Sequence, residues 1–133
     1  MALSYVIYRS LGRLESFGSD CEAILTRARD RNSSYGLTGF LHAEDGIFVQ
    51  WLEGASEHLD LVLALILGDP RHRDITIFNH GPIAARQFPQ WAMGFSSGKD
   101  APLFDYLAEQ DINSHDHRAY ADGLQRFLLQ RAA

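Results

Sequence analysis

Hydrophobic and polar positions change period several times along the chain, and each change predicts an element of secondary structure. Residues 3–8 are rich in β-forming side chains, and both of their alternating sets are apolar or aromatic. This pattern predicts a strand that is covered on both faces. Ser19 and Glu22 form a capping-box pattern, after which apolar residues recur at helical spacing. A first helix is therefore predicted over residues 20–32.

The next stretch predicts a β-hairpin. Two runs of strand-forming residues, 37–43 and 47–53, flank the turn Glu44-Asp45-Gly46. Asp-Gly favours the tight turns that join antiparallel strands. The two runs are therefore expected to pair with each other.

A second helix is predicted after the hairpin, with Ser56 as its cap and Gly68 as its stop. Two more strands are expected, at 74–80 and at 91–95, because strand-forming residues recur there between turn signals. Two further helical stretches are predicted near the C-terminus, at 101–110 and 115–131.

The predicted order of elements, βαββαββ, indicates a ferredoxin-like α/β sandwich with one added strand. Its sheet would be five-stranded and mixed, with two core helices on one face. Because the first strand is apolar on both faces, the C-terminal helices are expected to cover the other face. The chain is thus expected to divide into a domain of residues 1–98 and a helical extension of residues 99–133.

Composition and charge narrow the classes of function. The 133 residues suit a single domain, and the net charge of −5 argues against direct binding of nucleic acid, which draws on many Lys/Arg–phosphate contacts. Cys21 is the only cysteine, so an internal disulfide and a cysteine-based zinc site are excluded. The six histidines show no metal-binding spacing, so no metal is expected.

The chain also gives no sign of export or membrane insertion. It has no signal-peptide pattern, and no apolar run approaches the ~18 residues of a membrane span. A cytoplasmic location without membrane contact is therefore expected.

Two polar side chains occupy positions where the pattern calls for apolar ones. Gln50 shares a strand face with Phe48 and Leu52, and Tyr8 lies on a strand expected beside it. A buried amide and a buried phenol both need hydrogen-bond partners. The pair is a candidate site, and the alternative for Gln50 is a structural amide bonded to backbone or exposed at an edge.

Further candidates lie at the ends of the two predicted core helices. Asn32 closes the first helix, where it is either a functional amide or an ordinary C-cap. The loop after the second helix contains the cluster Arg71-His72-Arg73, which can hold a phosphate through charge-assisted hydrogen bonds. A solvated surface loop is the alternative.

Six short segments stand out by their order and spacing along residues 3 to about 95. They are Val6-Ile7-Tyr8-Arg9-Ser10, Ala28-Arg29-Asp30-Arg31-Asn32, Leu37-Thr38-Gly39-Phe40-Leu41, Gly46-Ile47-Phe48-Val49-Gln50-Trp51-Leu52-Glu53-Gly54, Asp69-Pro70-Arg71-His72, and Arg86-Gln87-Phe88-Pro89-Gln90-Trp91-Ala92-Met93-Gly94-Phe95. Together they resemble the BLUF family of flavin-binding blue-light sensors. Each segment alone would be a weak match, but their order and spacing are specific.

The resemblance implies an oxidised flavin, usually FAD, with FMN or riboflavin as alternatives, held non-covalently between the two core helices. Tyr8 would be the electron donor, and Gln50 would bridge it to the flavin ring. The resemblance assigns the other site residues as follows: Asn32 to the polar edge of the ring, Arg31 near the ring and tail, Asp69, Arg71 and His72 to the ribityl-phosphate side, and Trp91 and Met93 to the relay of the signal.

The sequence departs from the family pattern at two positions. Ala92 stands where a hydroxyl residue is common, and Trp51 is bulkier than the usual aliphatic residue. The chain also resembles the short, stand-alone members of the family, so it is expected to be no enzyme itself. Signalling through a separate protein effector is expected, and a homodimer is a candidate assembly.

Two other functions remain open from the residues. One is an enzyme, either a flavin-dependent redox enzyme or a phosphate-cleaving enzyme on the same fold, although no nicotinamide motif is visible. The other is an adaptor of ferredoxin-like fold that has lost its pigment. A visible spectrum distinguishes a flavin-binding protein from a colourless enzyme or adaptor.

Overall fold

The computed structural model describes residues 2–100, 102–110, 112 and 116–132. The described residues form five strands and four α-helices. In chain order these are β1 (Leu3–Gly12), α1 (Phe17–Tyr35), β2 (Thr38–Glu44), β3 (Ile47–Ala55), α2 (Ser56–Leu67), β4 (His72–Ile83), β5 (Gly94–Ser97), α3 (Leu103–Glu109) and α4 (His117–Ala132). The predicted order and the α/β class are confirmed.

The strands form one mixed sheet in the order β4-β1-β3-β2-β5. Neighbouring strands are antiparallel except for β2 and β5, which are parallel. The hairpin of β2 and β3 turns at Asp45 and Gly46, whose φ angles of 50° and 80° are those of a tight hairpin turn. β1 and β3 therefore lie at the centre of the sheet, as the ferredoxin-like order requires.

The two faces of the sheet carry separate hydrophobic cores. Val6 and Tyr8 of β1 point towards α1 and α2, whereas Ile7 points towards α3 and α4. Leu124 and Phe127 of α4 are buried on this second face. The alternation along β1 thus explains why both of its residue sets are apolar, and the C-terminal helices cover the second face as expected.

The first helix begins and ends outside its predicted bounds. Arg13 and Ser16 both donate to the Asp20 carboxylate, at distances of 2.7–2.9 Å, so the helix starts before Ser19. The Ser19 hydroxyl donates instead to the Ser16 carbonyl oxygen, and the predicted capping box is wrong. At the other end Gly36 adopts the left-handed conformation (φ 66°) and donates to the Asn32 carbonyl oxygen.

Other predicted bounds also shift. Ser56 starts α2 but does not cap it, since its hydroxyl bonds to the Ser4 hydroxyl at 2.6 Å. Gly68 ends α2 as predicted. The last strand is displaced: β5 begins at Gly94, not at residue 91. The predicted starts of the two C-terminal helices, 101 and 115, lie outside the described residues.

Candidate functional site

The centre of the site is a pair of polar side chains on the two middle strands. Tyr8 of β1 and Gln50 of β3 are direct register partners, and the Tyr8 hydroxyl donates a hydrogen bond to Oε1 of Gln50. Both side chains are buried on the side of the sheet that α1 and α2 cover. Their predicted placement on neighbouring central strands is confirmed.

The electrostatics of this pair keep the phenol protonated. Burial raises the pKa of Tyr8 well above its ordinary value of 10.0. The positive charge of Arg31 lowers the pKa and the negative charge of Asp69 raises it, so both groups act on the phenol. Tyr8 is therefore a hydrogen-bond donor at neutral pH, and Gln50 offers its oxygen as the acceptor.

The other end of the Gln50 amide faces Met93. Nε2 of Gln50 lies 3.9 Å from the Met93 sulfur, which is only a weak acceptor. Met93 is buried at 2% exposure, whereas Trp91 is 41% exposed. The amide nitrogen of Gln50 thus keeps the capacity to donate to a stronger acceptor.

Trp91 and Met93 precede β5, and tertiary contacts hold their backbone. Nδ2 of Asn32 donates to the Ala92 carbonyl oxygen at 2.6 Å, and Nε of Arg29 donates to that of Met93 at 3.1 Å. The Trp91 carbonyl oxygen accepts from a backbone amide of β2 at 2.9 Å. The segment is therefore attached to α1 as well as to the sheet edge, which explains why it does not continue the strand.

Two buried polar atoms of α1 lack partners. Nε of Arg31 and Oδ1 of Asn32 have no hydrogen-bond partner within the described part of the chain. Leaving a buried polar atom unpaired costs about 1–3 kcal/mol. An unpaired donor and an unpaired acceptor on α1 are available to a ligand with polar ring atoms, so both residues fit a flavin.

A cleft of about 440 Å³ opens between α1 and the end of α2. Its size falls within the usual range of small-molecule sites, about 300–1,000 Å³. The wall combines basic, acidic, aromatic and apolar groups: Arg27, Arg31, Tyr35, Leu65, Gly68, Asp69 and Pro70. Such a lining suits a flat aromatic ring that carries an anionic tail.

The predicted site residues of the loop after α2 lie in different environments. Asp69 lines the cleft, and Arg71 pairs with it at 3.2 Å while its backbone amide donates to the same carboxylate oxygen. His72 is buried, with Nδ1 2.8 Å from the Ser10 hydroxyl and Nε2 3.2 Å from the Ile66 carbonyl oxygen.

A carbonyl oxygen only accepts, so Nε2 of His72 carries the proton and Nδ1 accepts from Ser10. Burial also lowers the pKa of His72, which favours this neutral form. Both ring nitrogens are thus bonded within the protein, and His72 is not among the residues that line the cleft. A direct contact of His72 with a cofactor stays a prediction.

The sequence cluster Arg27, Arg29 and Arg31 suits a small anionic ligand, but the family resemblance gives no individual role to Arg27 or Arg29. Arg27 lines the cleft beside Arg31, and Arg29 holds the Met93 carbonyl oxygen. Arg27 and Arg31 are four residues apart and share one face of α1, which is the signal that identifies them as a pair. Within the described ranges no group of His, Cys, Asp and Glu forms a metal-binding cluster. Likewise, no helix among the described residues has the length and apolarity needed to cross a bilayer.

Comparison with known proteins identifies a family that matches residues 3–94. A family model described as "BLUF: Sensors of blue-light using FAD" matches residues 3–94. A relative, photoactivated adenylate cyclase subunit beta of Euglena gracilis, is 33% identical over 96 residues. The match covers 71% of this chain but only 11% of that protein. The corresponding subunit of Euglena longa is 38% identical over 96 residues, again 11% of its length.

Solved structures agree with this assignment. The dark-state structure of BlrB, a BLUF protein, superposes with a TM-score of 0.80 at 33% identity and covers 98% of this chain and 97% of that one. The photo-activated state of BlsA gives a TM-score of 0.82 at 25% identity, with coverage of 96% and 94%. Since the family model spans most of the chain, the protein belongs to the BLUF family of blue-light sensors that use FAD.

Proposed function

We propose that this chain is a blue-light photoreceptor in which light rearranges the hydrogen bonds of Tyr8 and Gln50 around a non-covalently held flavin. The observation that carries the proposal is the buried hydrogen bond from Tyr8 to Gln50. It lies on the face of the sheet that α1 covers, and α1 carries two buried polar atoms without partners among the described residues. Membership of the BLUF family supplies the general function, and the geometry supports the particular residues.

The proposed cofactor-binding residues are those with an unpaired buried atom and the basic residues that line the cleft, where Arg31 belongs to both groups. Oδ1 of Asn32 is available to accept from a ring N–H, and Nε of Arg31 is available to donate to the ring or the tail. Arg27 lines the same cleft and supplies positive charge for a phosphate. The family description names FAD. The second phosphate of FAD gives these arginines more to bind than FMN or riboflavin does.

Tyr8 and Gln50 perform the photochemical step. A bound oxidised flavin would supply the blue-light absorption and, once excited, a strong one-electron oxidant. Tyr8 is the assigned donor because its phenol is buried and already hydrogen-bonded to an acceptor. A phenol that loses an electron becomes strongly acidic, so its proton moves along the existing bond to Oε1 of Gln50.

Gln50 then preserves the change after Tyr8 recovers its electron and proton. An amide has both a donor and an acceptor end, so rotation or conversion to the imidic-acid tautomer alters what it offers its neighbours. The weak contact of Nε2 with the Met93 sulfur offers little resistance to either change. No net oxidation occurs, and the new hydrogen bond produces a red-shifted spectrum.

The output surface is assigned to the segment around Trp91 and its neighbour α4. A groove of about 220 Å³ lies where this segment meets Leu129 and Ala132 at the end of α4. Trp91 is exposed there, and its carbonyl oxygen is attached to the sheet edge. A change at Met93 would alter this surface, which a separate protein effector or a second copy of the chain would read.

The visible spectrum of the purified protein tests the proposal. We expect a yellow protein with the structured bands of a tightly bound oxidised flavin, and a reversible red shift of those bands under blue light. A colourless protein that also fails to take up added FAD, FMN or riboflavin would rule the proposal out. Oxidation of an added reduced nicotinamide dinucleotide by the coloured protein would favour a flavin-dependent redox enzyme instead.

A further inference from the structure

A carboxylate on the opposite face of β3 forms an unusually complete set of hydrogen bonds. Glu53 is fully buried at 0% exposure. Its Oε1 accepts from Nε1 of Trp51 at 3.0 Å and from the backbone amide of Gln87 at 2.7 Å. Its Oε2 accepts from the Thr38 hydroxyl and from the backbone amide of Phe88, both at 2.8 Å. All four partners are donors, as an acceptor-only carboxylate requires.

These bonds join two strands to the connection between β4 and β5. Thr38 belongs to β2 and Trp51 to β3, whereas Gln87 and Phe88 belong to the connection. Arg86 reinforces the junction by donating to the Thr38 hydroxyl at 2.9 Å and to the Gly36 carbonyl oxygen at 2.7 Å. The start of the segment 87–93 is therefore fixed to the sheet by charge-assisted bonds.

The end of the same segment is attached to the flavin side of the molecule. Asn32 holds the Ala92 carbonyl oxygen and Arg29 that of Met93. Asn32 also carries the unpaired Oδ1 that fits a cofactor, and Met93 contacts Gln50. The segment 87–93 thus has one end bonded to Glu53 and one end bonded to the residues that light is proposed to rearrange.

We infer that Glu53 is the positioning residue of this segment: it fixes residues 87 and 88, so that a rearrangement at Gln50 and Asn32 moves only residues 91–93. The inference rests on the proposed photoreceptor function. Without a fixed end, a push on Met93 would spread along the whole connection and be lost in loop motion. With one, the displacement is concentrated at Trp91, beside the end of α4.

Replacement of Glu53 by glutamine separates this role from the photochemistry. The amide keeps the size of the side chain, but its NH₂ group cannot accept from the donors that one carboxylate oxygen now serves. Gln50 and Glu53 are three residues apart on β3 and face opposite sides of the sheet. The substitution therefore removes no contact of Tyr8 or Gln50.

The experiment is amide hydrogen exchange of the full chain with bound flavin, in darkness and under blue light, alongside the visible spectrum. The matched control is Glu44→Gln, because Glu44 is also a buried carboxylate that accepts a backbone amide, that of Leu103 at 2.7 Å. Glu44 holds the start of α3 and has no bond to the segment 87–93 among the described residues.

In the wild type we expect the amides of Gln87 and Phe88 to be equally protected in both states, and exchange at residues 91–93 to increase in light. Glu53→Gln should raise exchange over the segment 84–90 in darkness by about tenfold, the effect of losing roughly one charge-assisted bond. It should also reduce the light-dependent difference at 91–93 by at least half, while the red shift is kept. Glu44→Gln should leave exchange over 84–93 unchanged.

Two results would overturn the inference. One is a Glu53→Gln variant whose amide exchange over residues 84–93 equals that of the wild type. The other is a loss of protection at the amides of Gln87 and Phe88 when the wild type is illuminated. If Glu53→Gln fails to fold, the wild-type measurement alone tests the inference, through the protection of Gln87 and Phe88 in darkness and in light. A wild type without any red shift contradicts the proposed photoreceptor function. The comparison in darkness then still supports or overturns the fixing of the segment by Glu53.

Discussion

Tyr8 and Gln50 face each other across β1 and β3, and the phenol donates its hydrogen bond to the amide oxygen. The bond is buried, so no water competes for either group. The sheet fixes the distance and direction of the two side chains, while the weak sulfur contact at the other end of the amide leaves Gln50 free to rearrange. A fixed donor thus faces an adaptable acceptor.

Replacement of Tyr8 by phenylalanine should leave the pigment in place and abolish the productive photocycle. The phenylalanine ring still fills the core, but it lacks the phenol that would donate the electron and the proton. We expect the yield of the red-shifted form to fall at least about tenfold, which corresponds to ~1.4 kcal/mol. Absorption spectra under constant blue light measure this yield.

The matched control is Tyr5→Phe, on the same strand but stacked on Trp51 at 4.4 Å on the opposite face. It should retain the wild-type red shift. A full red shift in Tyr8→Phe would mean that another residue supplies the electron.

Replacement of Arg71 by alanine should weaken FAD more than riboflavin. Arg71 neutralises Asp69, which lines the cleft, and an unpaired carboxylate there would repel an anionic tail. Loss of one such charge-assisted interaction corresponds to roughly a tenfold increase in Kd. Titration of the flavin-free protein with FAD, FMN and riboflavin gives the three affinities.

Arg73→Ala serves as the control, since this exposed arginine lies two residues further along the same chain segment. An equal loss of affinity for all three flavins in Arg71→Ala would show that the loop is structural and that the phosphates bind elsewhere.

Stability should fall as the solution is acidified below about pH 6.5. Burial lowers the pKa of His42 and of His72 from the ordinary value of 6.5, although Glu44 opposes the shift at His42. The unfolded chain therefore binds more protons than the folded one between the lowered pKa values and 6.5, so stability decreases with falling pH in that window. Each histidine contributes at most about 1.4 kcal/mol per pH unit.

Urea unfolding between pH 7.5 and pH 5 measures this dependence. His72→Gln, which removes one of the two titrating groups, should reduce the slope. An unchanged slope in both His72→Gln and His42→Gln would contradict the assignment of the acid sensitivity to these histidines.

Removal of the residues after Lys99 should cause aggregation. α3 and α4 cover the second hydrophobic core, and without them buried side chains such as Val49 and Trp51 would be exposed. Size-exclusion chromatography of the shortened chain tests this expectation. A monodisperse shortened protein that still binds its effector in a light-dependent way would refute the output role of the C-terminal helices.

Local patterns were sufficient for most of the fold. The Asp45–Gly46 turn and the alternation on either side of it specify the hairpin without tertiary information. The amide of Gln50 within an apolar face likewise identified the site, because a buried amide requires a partner. The predicted start of α1 was wrong because the observed start depends on the contact of Arg13 with Asp20. The capping pattern at Ser19 does not reveal this contact.

Tertiary contacts account for the remaining differences. The backbone of residues 91–93 bonds to side chains of α1 more than fifty residues earlier, so its strand-like composition was misleading. The neutral, internally bonded state of His72 also depends on Ser10 and Ile66, which are distant or unremarkable in sequence. Glu53 gave a signal, a charge within a strand, but its partners become visible only when the connection is folded back.

The most direct test of the central claim is the light-minus-dark visible spectrum of Gln50→Leu beside that of the wild type. Leucine has nearly the size of glutamine but neither donates nor accepts. We expect both proteins to bind flavin and only the wild type to give the reversible red shift. A full, reversible red shift in Gln50→Leu would contradict the account and direct attention to Asn32 as the origin of the signal.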